Sequence, residues 1–83
     1  MKILYFAWLK EKTGVSEEDL DLPGGVTDVA GLVDILKARG DGFAAAFSDP
    51  GVVRVAVNQE HVAMDHALAD GDEVAFFPPV TGG

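Results

Sequence analysis

The sequence ends in two glycines, Gly82 and Gly83, and this end offers one group that could take part in chemistry. Neither residue has a side chain, so the pair can thread a channel too narrow for a Cβ atom. What remains is the main-chain carboxylate of Gly83, which is ionised at neutral pH. A carboxylate is a poor electrophile and must be activated, usually by adenylation with ATP, before another group can be loaded onto it. The pattern predicts a reactive site at Gly83, with Gly82 as part of it.

The chain lacks the motif that it would need to bind ATP itself. Gly24 and Gly25 are not followed by the Gly-Lys-Ser/Thr pattern of a phosphate-binding loop. We therefore expect a separate adenylating enzyme to use the ATP, and no cofactor to be held stably by this chain. The absence of cysteine excludes thiolate zinc sites, iron–sulfur clusters and thiol nucleophiles. His66 has no second ligand at metal spacing, so no metal site is predicted.

Composition favours a small carrier or binding module over an enzyme with its own pocket. The 83 residues make one domain with room for one core, and 48% hydrophobic against 24% charged residues supports a compact fold. A net charge of −8 disfavours nucleic acid and suits a partner with a basic surface. Neither a signal peptide nor an apolar stretch near the ~20 residues of a membrane span is evident, so we expect a cytoplasmic protein.

The residues before the glycines form a stiff spacer. Pro78 and Pro79 cannot donate to a strand ladder and favour an extended course away from the sheet. Val80 and Thr81 connect them to the glycine pair. We therefore predict a domain over residues 1–79 and a flexible tail over residues 80–83.

The first half of the chain predicts two strands and a helix. Residues 2–9 are apolar and aromatic and read as a buried strand, residues 10–14 as a turn, and residues 17–22 as a second strand that completes a hairpin. Thr27 or Asp28 can then cap a helix. Its apolar residues recur at helical spacing and form one stripe: Val29, Leu32, Val33 and Leu36. Gly40 is the expected terminator of this helix.

The second half adds the rest of a mixed sheet. We predict a short helical turn at residues 43–47, a strand at 52–57, a tight turn at Asn58-Gln59, a short strand at 61–64 and a last strand at 73–77. The order of these elements indicates an α+β fold of the ubiquitin-like β-grasp type, in which a mixed sheet packs on one main helix.

The first predicted strand is apolar on both of its faces. Ile3, Tyr5 and Ala7 alternate with Leu4, Phe6 and Trp8, yet one helix covers only one face of a sheet. The second set, joined by Phe77, would then be exposed as a protein interface. The alternative is that the segment 43–47 folds over it.

Three segments carry a resemblance to a known family. The run 65–83, above all its end Phe-Phe-Pro-Pro-Val-Thr-Gly-Gly, resembles the C-terminus of molybdopterin synthase small subunits, the sulfur carriers of molybdenum-cofactor biosynthesis. Residues 55–59 resemble that family's preceding strand and turn, and residues 3–7 its first strand. The segment 14–50 is generic.

The resemblance implies a mechanism in which this chain is the sulfur-donor subunit and has no catalytic site of its own. An activating enzyme would adenylate Gly83, and a sulfur donor would convert it to a thiocarboxylate. The tail would enter the large catalytic subunit, in an expected heterotetramer, and pass sulfur to cyclic pyranopterin monophosphate. Two loaded carriers would be needed for each dithiolene. The implied partner-facing residues are Phe6, His61, Phe77, Pro78, Pro79, Val80 and Thr81, although the family more often has an aliphatic residue at the position of His61.

Other interpretations remain open. A sulfur carrier for thiazole synthesis or tRNA thiolation, or a modifier conjugated to lysines, would share the Gly-Gly end, and a β-grasp binding module would carry it as an inert tail. The acidic residues near the last strand could pair as catalytic carboxylates or form a solvated turn, and Arg54 could pair with one of them; they are Asp65, Asp70, Asp72 and Glu73.

Overall fold

The chain forms five strands, three α-helices and one short 3₁₀ turn in the computed structural model, which describes residues 1–79. The strands and helices follow the order β1 (Lys2–Tyr5), α1 (Trp8–Thr13), β2 (Glu17–Asp19), α2 (Val29–Lys37), α3 (Asp41–Ala46), β3 (Arg54–Val57), β4 (Glu60–Val62) and β5 (Glu73–Phe77). The 3₁₀ turn, Pro50–Val52, precedes β3.

One mixed sheet organises these elements. Its strand order is β2-β1-β5-β3-β4, with β1 and β5 parallel and every other neighbouring pair antiparallel. The first and last strands therefore lie side by side at the centre. This arrangement confirms the predicted β-grasp topology and the antiparallel pairing of β1 with β2, but helix α1 rather than a turn connects the two strands.

The core lies between one face of the sheet and the helices. Ile3 and Tyr5 of β1 and Val74 and Phe76 of β5 alternate with less buried residues and are at most 1% exposed. The predicted stripe of α2 packs on this face, because Val29, Leu32 and Leu36 are buried, and Val33 lies at the edge of the core. Helix α3 packs there too.

Helix α2 begins as its sequence predicts but ends earlier. The Asp28 side chain accepts a hydrogen bond from the backbone N–H of Gly31 at 2.9 Å, so Asp28 rather than Thr27 is the cap. The helix ends at Lys37, and the prediction of Gly40 as its terminator was wrong. Gly40 instead starts α3, where its carbonyl accepts the N–H of Ala44.

The first strand is shorter than predicted, and the turn expected at residues 10–14 is part of a helix. The chain leaves the sheet after Tyr5 and reverses at Ala7, whose φ of 54° and ψ of −132° are unusual for a residue with a side chain. Helix α1 follows, buries Leu9 and ends at Gly14 in the left-handed conformation. A short apolar run does not distinguish a strand from a buried helix, which explains the error.

The other strands differ from the predictions at their ends. Strand β2 stops at Asp19, β3 begins at Arg54 after the 3₁₀ turn, and β4 spans Glu60–Val62. The turn at Asn58-Gln59 is confirmed, with φ values of 52° and 70°. Strand β5 has the predicted bounds.

A polar cluster ties the edge of the sheet to the helices. The buried hydroxyl of Tyr5 donates to Glu18 at 2.9 Å, and Arg39 Nη1 donates to both Glu18 oxygens at 2.6 and 2.8 Å. The Arg39 guanidinium also lies 5.2 Å from the centre of the Phe43 ring. Burial, followed by the hydrogen bond to Glu18, strongly raises the pKa of Tyr5.

We predict that alkaline titration will show this cluster directly, because Tyr5 is the single tyrosine. An unfolded tyrosine ionises at about pH 10, and the pKa of Tyr5 is higher in the folded protein. The stability that this difference contributes is therefore fully present below about pH 10 and is lost as the pH rises further. Phenolate absorbance should therefore appear only together with loss of tryptophan and circular dichroism signals. Glu18→Gln should lower the pKa of Tyr5 only in part, since burial is the main cause. Phenolate formation in a fully folded wild type would contradict this.

A second prediction concerns the contact between α1 and α3. A Cβ atom added at Gly42 would clash with the carbonyl oxygen of Lys12, and that atom belongs to the backbone. Gly42→Ala should therefore lower the free energy of unfolding by about 1–3 kcal/mol, measured by urea denaturation. Gly24→Ala is the matched control, because nothing lies within 4 Å of its added Cβ and its φ is not positive. Equal stability of the two variants would contradict a close contact between α1 and α3 at Gly42.

Candidate functional site

The candidate site is the face of the sheet opposite the helices, here called the open face. Strand register places Leu4 of β1, Ala75 and Phe77 of β5, Ala56 of β3 and His61 of β4 on this face. Phe6 extends it beyond β1, where its N–H still donates to the carbonyl of Phe76 at 3.1 Å. The open face thus forms an apolar strip across the central strands.

The open face is not covered by any described part of the chain. Phe6 is 48% exposed, and Leu4, Ala75 and Phe77 are only half-buried. Large apolar side chains this exposed and this close together usually mark a protein interface.

The position of helix α3 shows whether the segment 43–47 covers Phe6 and Phe77 or leaves them exposed. Phe43 meets Tyr5 edge-on with ring centres 6.0 Å apart, and Phe47 meets Phe76 edge-on at 4.9 Å. Both contacts lie on the core face, so the segment 43–47 leaves Phe6 and Phe77 uncovered. The prediction that Trp8 shares their face was wrong, because Trp8 opens α1 and packs against the core cluster.

His61 belongs to the open face by direct contact. Its ring centre lies 5.2 Å from that of Phe77, and it pairs in register with Ala56. Among the residues predicted to face a partner, Phe6, His61 and Phe77 are therefore brought onto one surface. Pro78 and Pro79 follow directly and are half-buried.

The predicted roles of Val80, Thr81, Gly82 and Gly83 concern residues outside the described part. The roles of these four residues, including the reactive site at Gly83, stay predictions. So does the division of the chain into a domain and a tail.

Arg54 lies beside the strip but does not pair with the acidic residues proposed for it. It is opposite Phe77 in register, and its Nη1 donates to the carbonyl of Gly51 at 3.1 Å. The carboxylates of Asp72 and Glu73 lie at the other end of β5. The expected ion pair is therefore not formed.

The carboxylates of Asp72 and Asp70 hold turns in place. Asp72 accepts from the side chain of Asn58 at 3.0 Å and from the N–H of Ala69 at 2.9 Å. The Asn58 bond, then the Ala69 bond, hold the pKa of Asp72 below its usual value. Asn58 also accepts from the N–H of Glu73 at 3.0 Å. Asp70 accepts from the N–H of Leu22 at 3.1 Å.

Sequence reasoning missed this role of Asn58, although an asparagine in a tight turn is the usual signal for such bonds. Of the four acidic residues, Asp70 and Asp72 thus bond through their side chains, and Glu73 through its backbone N–H.

Charge is unevenly distributed along the open face. At the start of β1 and β5 lie Asp19 and Glu73, level with Lys2, and Lys2 also binds Glu17 of β2 at 3.2 Å. At the opposite end lie Phe6, Phe77 and Arg54. Strand β5 finishes at this second end with Phe77, and Pro78 and Pro79 follow.

Within residues 1–79, no helix is long and apolar enough to cross a membrane. The same residues contain no cluster of three side chains suited to hold a metal ion.

Comparisons with known proteins agree along the whole chain. A curated relative, the molybdopterin synthase sulfur carrier subunit of Escherichia coli K12, is 45% identical over 85 residues, covering 100% of this chain and 99% of the relative. The crystal structure of SAMP1 from Haloferax volcanii superposes with a TM-score of 0.76 at 35% identity, covering 100% of this chain and 98% of that one.

A third comparison is with a protein complex. One chain in the complex of subunits 1 and 2 of the molybdopterin-converting factor from Helicobacter pylori 26695 superposes with a TM-score of 0.64 at 25% identity, over 99% of this chain and 96% of that one. The model of the ThiS family matches residues 3–83. Because the family model matches residues 3–83 and a relative aligned over the whole chain is 45% identical, the chain belongs to the ThiS family.

Proposed function

We propose that this chain is the sulfur carrier subunit of a molybdopterin synthase. The observation that carries the proposal is its similarity over the full chain, at 45% identity, to a carrier subunit of that name. The Gly82-Gly83 end and the uncovered apolar face support it, because a carrier needs a group to load and a surface to dock with. We expect it to act in the cytoplasm.

Loading takes place on the Gly83 carboxylate. On an adenylating enzyme, a carboxylate oxygen attacks the α-phosphorus of ATP, and pyrophosphate leaves. A sulfide equivalent from the sulfur donor then attacks the acyl carbon, the bond to AMP breaks, and a thiocarboxylate remains. This chain contributes the substrate, and the activating enzyme contributes the ATP site. Because the chain has no cysteine, no internal thiol competes for the activated acyl group.

Sulfur transfer takes place on the large subunit of the synthase. The thiocarboxylate is anionic at neutral pH, and its sulfur is a soft nucleophile. It attacks an electrophilic carbon of cyclic pyranopterin monophosphate, where a C–S bond forms as the bond to an oxygen leaving group breaks. Hydrolysis of the resulting acyl intermediate leaves sulfur on the product and returns Gly83 as a carboxylate. Each carrier delivers one sulfur, so a dithiolene needs two loaded carriers. The catalytic side chains belong to the large subunit, which makes this chain a non-catalytic donor.

Docking uses the open face and the end of the chain together. Phe6, His61 and Phe77 contact the large subunit, while Pro78, Pro79, Val80 and Thr81 guide the glycines into its active site. The narrow glycine end suits a channel that excludes side chains. The assembly we expect is a heterotetramer of two carriers and two large subunits.

Deletion of Gly83 tests the chemistry. The shortened chain should fold and bind the large subunit, yet give no molybdopterin when mixed with the subunit and its precursor. Full-length chain from the native host should be heavier by the difference between sulfur and oxygen, read by intact mass spectrometry. Product from the shortened chain would sink the proposal. Gly-Gly remnants on host lysines, with no thiocarboxylate, would favour a protein modifier instead.

Substitution of Phe6 tests the docking surface. Phe6→Ser should weaken binding to the large subunit by about tenfold or more, because central aromatic residues dominate interface energies. The free energy of unfolding should change far less than for a core aromatic residue, since Phe6 is 48% exposed. Val33→Ser on α2 is the control, because it removes a half-buried apolar side chain on the opposite side of the sheet. Equal binding by the two variants would place the interface elsewhere.

A further inference from the structure

We propose that His61 must be uncharged for this carrier to dock, so that its complex with the large subunit weakens as the pH falls. This inference rests on the proposed function and specifies the chemistry of the partner surface that faces β4. The chain has two histidines, and one of them lies on the open face in contact with Phe77.

The geometry makes His61 part of any interface that covers Phe77. The two ring centres are 5.2 Å apart, and both side chains stand on the same face of the sheet. The His61 side chain is exposed in the free carrier. A partner surface that removes Phe77 from water therefore removes the neighbouring imidazole as well.

Within residues 1–79, no carboxylate lies within ion-pair distance of His61. Across from it on β3 is Ala56, and the nearest charged residue of β3 on this face is Arg54, a cation. Through Ala56, His61 is level with Ala75 at the middle of β5, and Phe77 and Glu73 lie two residues to either side of it. The His61 ring lies toward Phe77. Glu60, its neighbour on β4, alternates to the other face.

The other charges of this face lie three and four strands away from β4 in the sheet. The remaining charges of the open face, on β1 and β2, are Lys2, Glu17 and Asp19. The ion pairs within residues 1–79 are Lys2–Glu17 and Arg39–Glu18, and neither includes His61.

The partner is not expected to supply the missing carboxylate. A carrier with a net charge of −8 is matched by a partner with a basic docking surface. An imidazolium on the open face would add a positive charge against that surface, next to Arg54. It would also be buried without a counter-ion, which is costly. Docking therefore selects the neutral ring.

Histidine is the side chain that gains a proton between pH 5 and 8. If docking selects the neutral ring, a protonated carrier must release that proton in order to bind. By linkage, the apparent affinity then falls as pH decreases through this range, by up to about tenfold per pH unit. A purely aliphatic residue at this position would give no such dependence.

The test is the dissociation constant between the carrier and the large subunit of the same organism, measured at about pH 7.5 and about pH 5.5, the range in which histidine titrates. For the wild type we expect it to rise at least about fivefold at the lower pH. His61→Leu should remove most of that rise and bind at least as tightly at the higher pH. Urea denaturation at both pH values verifies that each protein is folded.

His66→Asn is the matched control. His66 lies in the segment between β4 and β5, where its carbonyl accepts the N–H of Val29 at the start of α2, and the open face does not include it. This variant should keep the pH dependence of the wild type. The same rise in His61→Leu as in the wild type, or a wild-type complex that tightens at low pH, would overturn the inference. Absence of any complex at the higher pH would overturn the proposed function as well.

Discussion

The parallel pairing of β1 with β5 at the centre of the sheet is the constraint on which the site depends. It joins the two ends of the described chain, with Ile3 opposite Val74 and Tyr5 opposite Phe76. Because the strands are parallel, both run toward the same edge of the sheet. Phe6 and Phe77 therefore reach that edge together, and the prolines leave from it. The position of Phe6 beside β5 and the position of the prolines after Phe77 are both consequences of one strand pairing.

The two faces of this sheet differ in whether helices cover them. Tyr5 and Phe76 are covered by α2 and α3, and the Glu18–Arg39 cluster fastens the edge of this packing. All three helices are used on that side. Residues 1–79 contain no further helix or strand that covers the other face, so its apolar residues stay uncovered.

Most of the fold could be predicted because local signals agree with the final packing. The alternation of β5, the stripe of α2 and the cap at Asp28 each specify their element without help from distant contacts. The switch at Ala7 could not be predicted. Nothing in a run of apolar residues marks where the strand ends, and a positive φ is normally signalled by glycine. The fold imposes it, because Leu9 must return to the core.

The candidate site divides in the same way. The alternation of residues along β1 and β5 correctly predicts that Phe6 and Phe77 share one face. The prediction for Trp8 extended that alternation past the end of the strand. The contact of His61 with Phe77 crosses from β4 over β3 to β5 and depends on register, which sequence spacing alone does not fix. The expected partner of Arg54 failed for a similar reason, since antiparallel pairing places Arg54 beside Phe77, at the end of β5 away from Glu73.

An exposed apolar face creates a risk of self-association, and the charge distribution opposes it. With a net charge of −8, two copies repel each other before their open faces can meet, while a basic partner is attracted. The acidic residues at the start of β1 and β5 add to this, because they border the strip that would be buried. In the proposed complex, selectivity for the partner comes from long-range charge, and the area to be buried comes from Phe6 and Phe77.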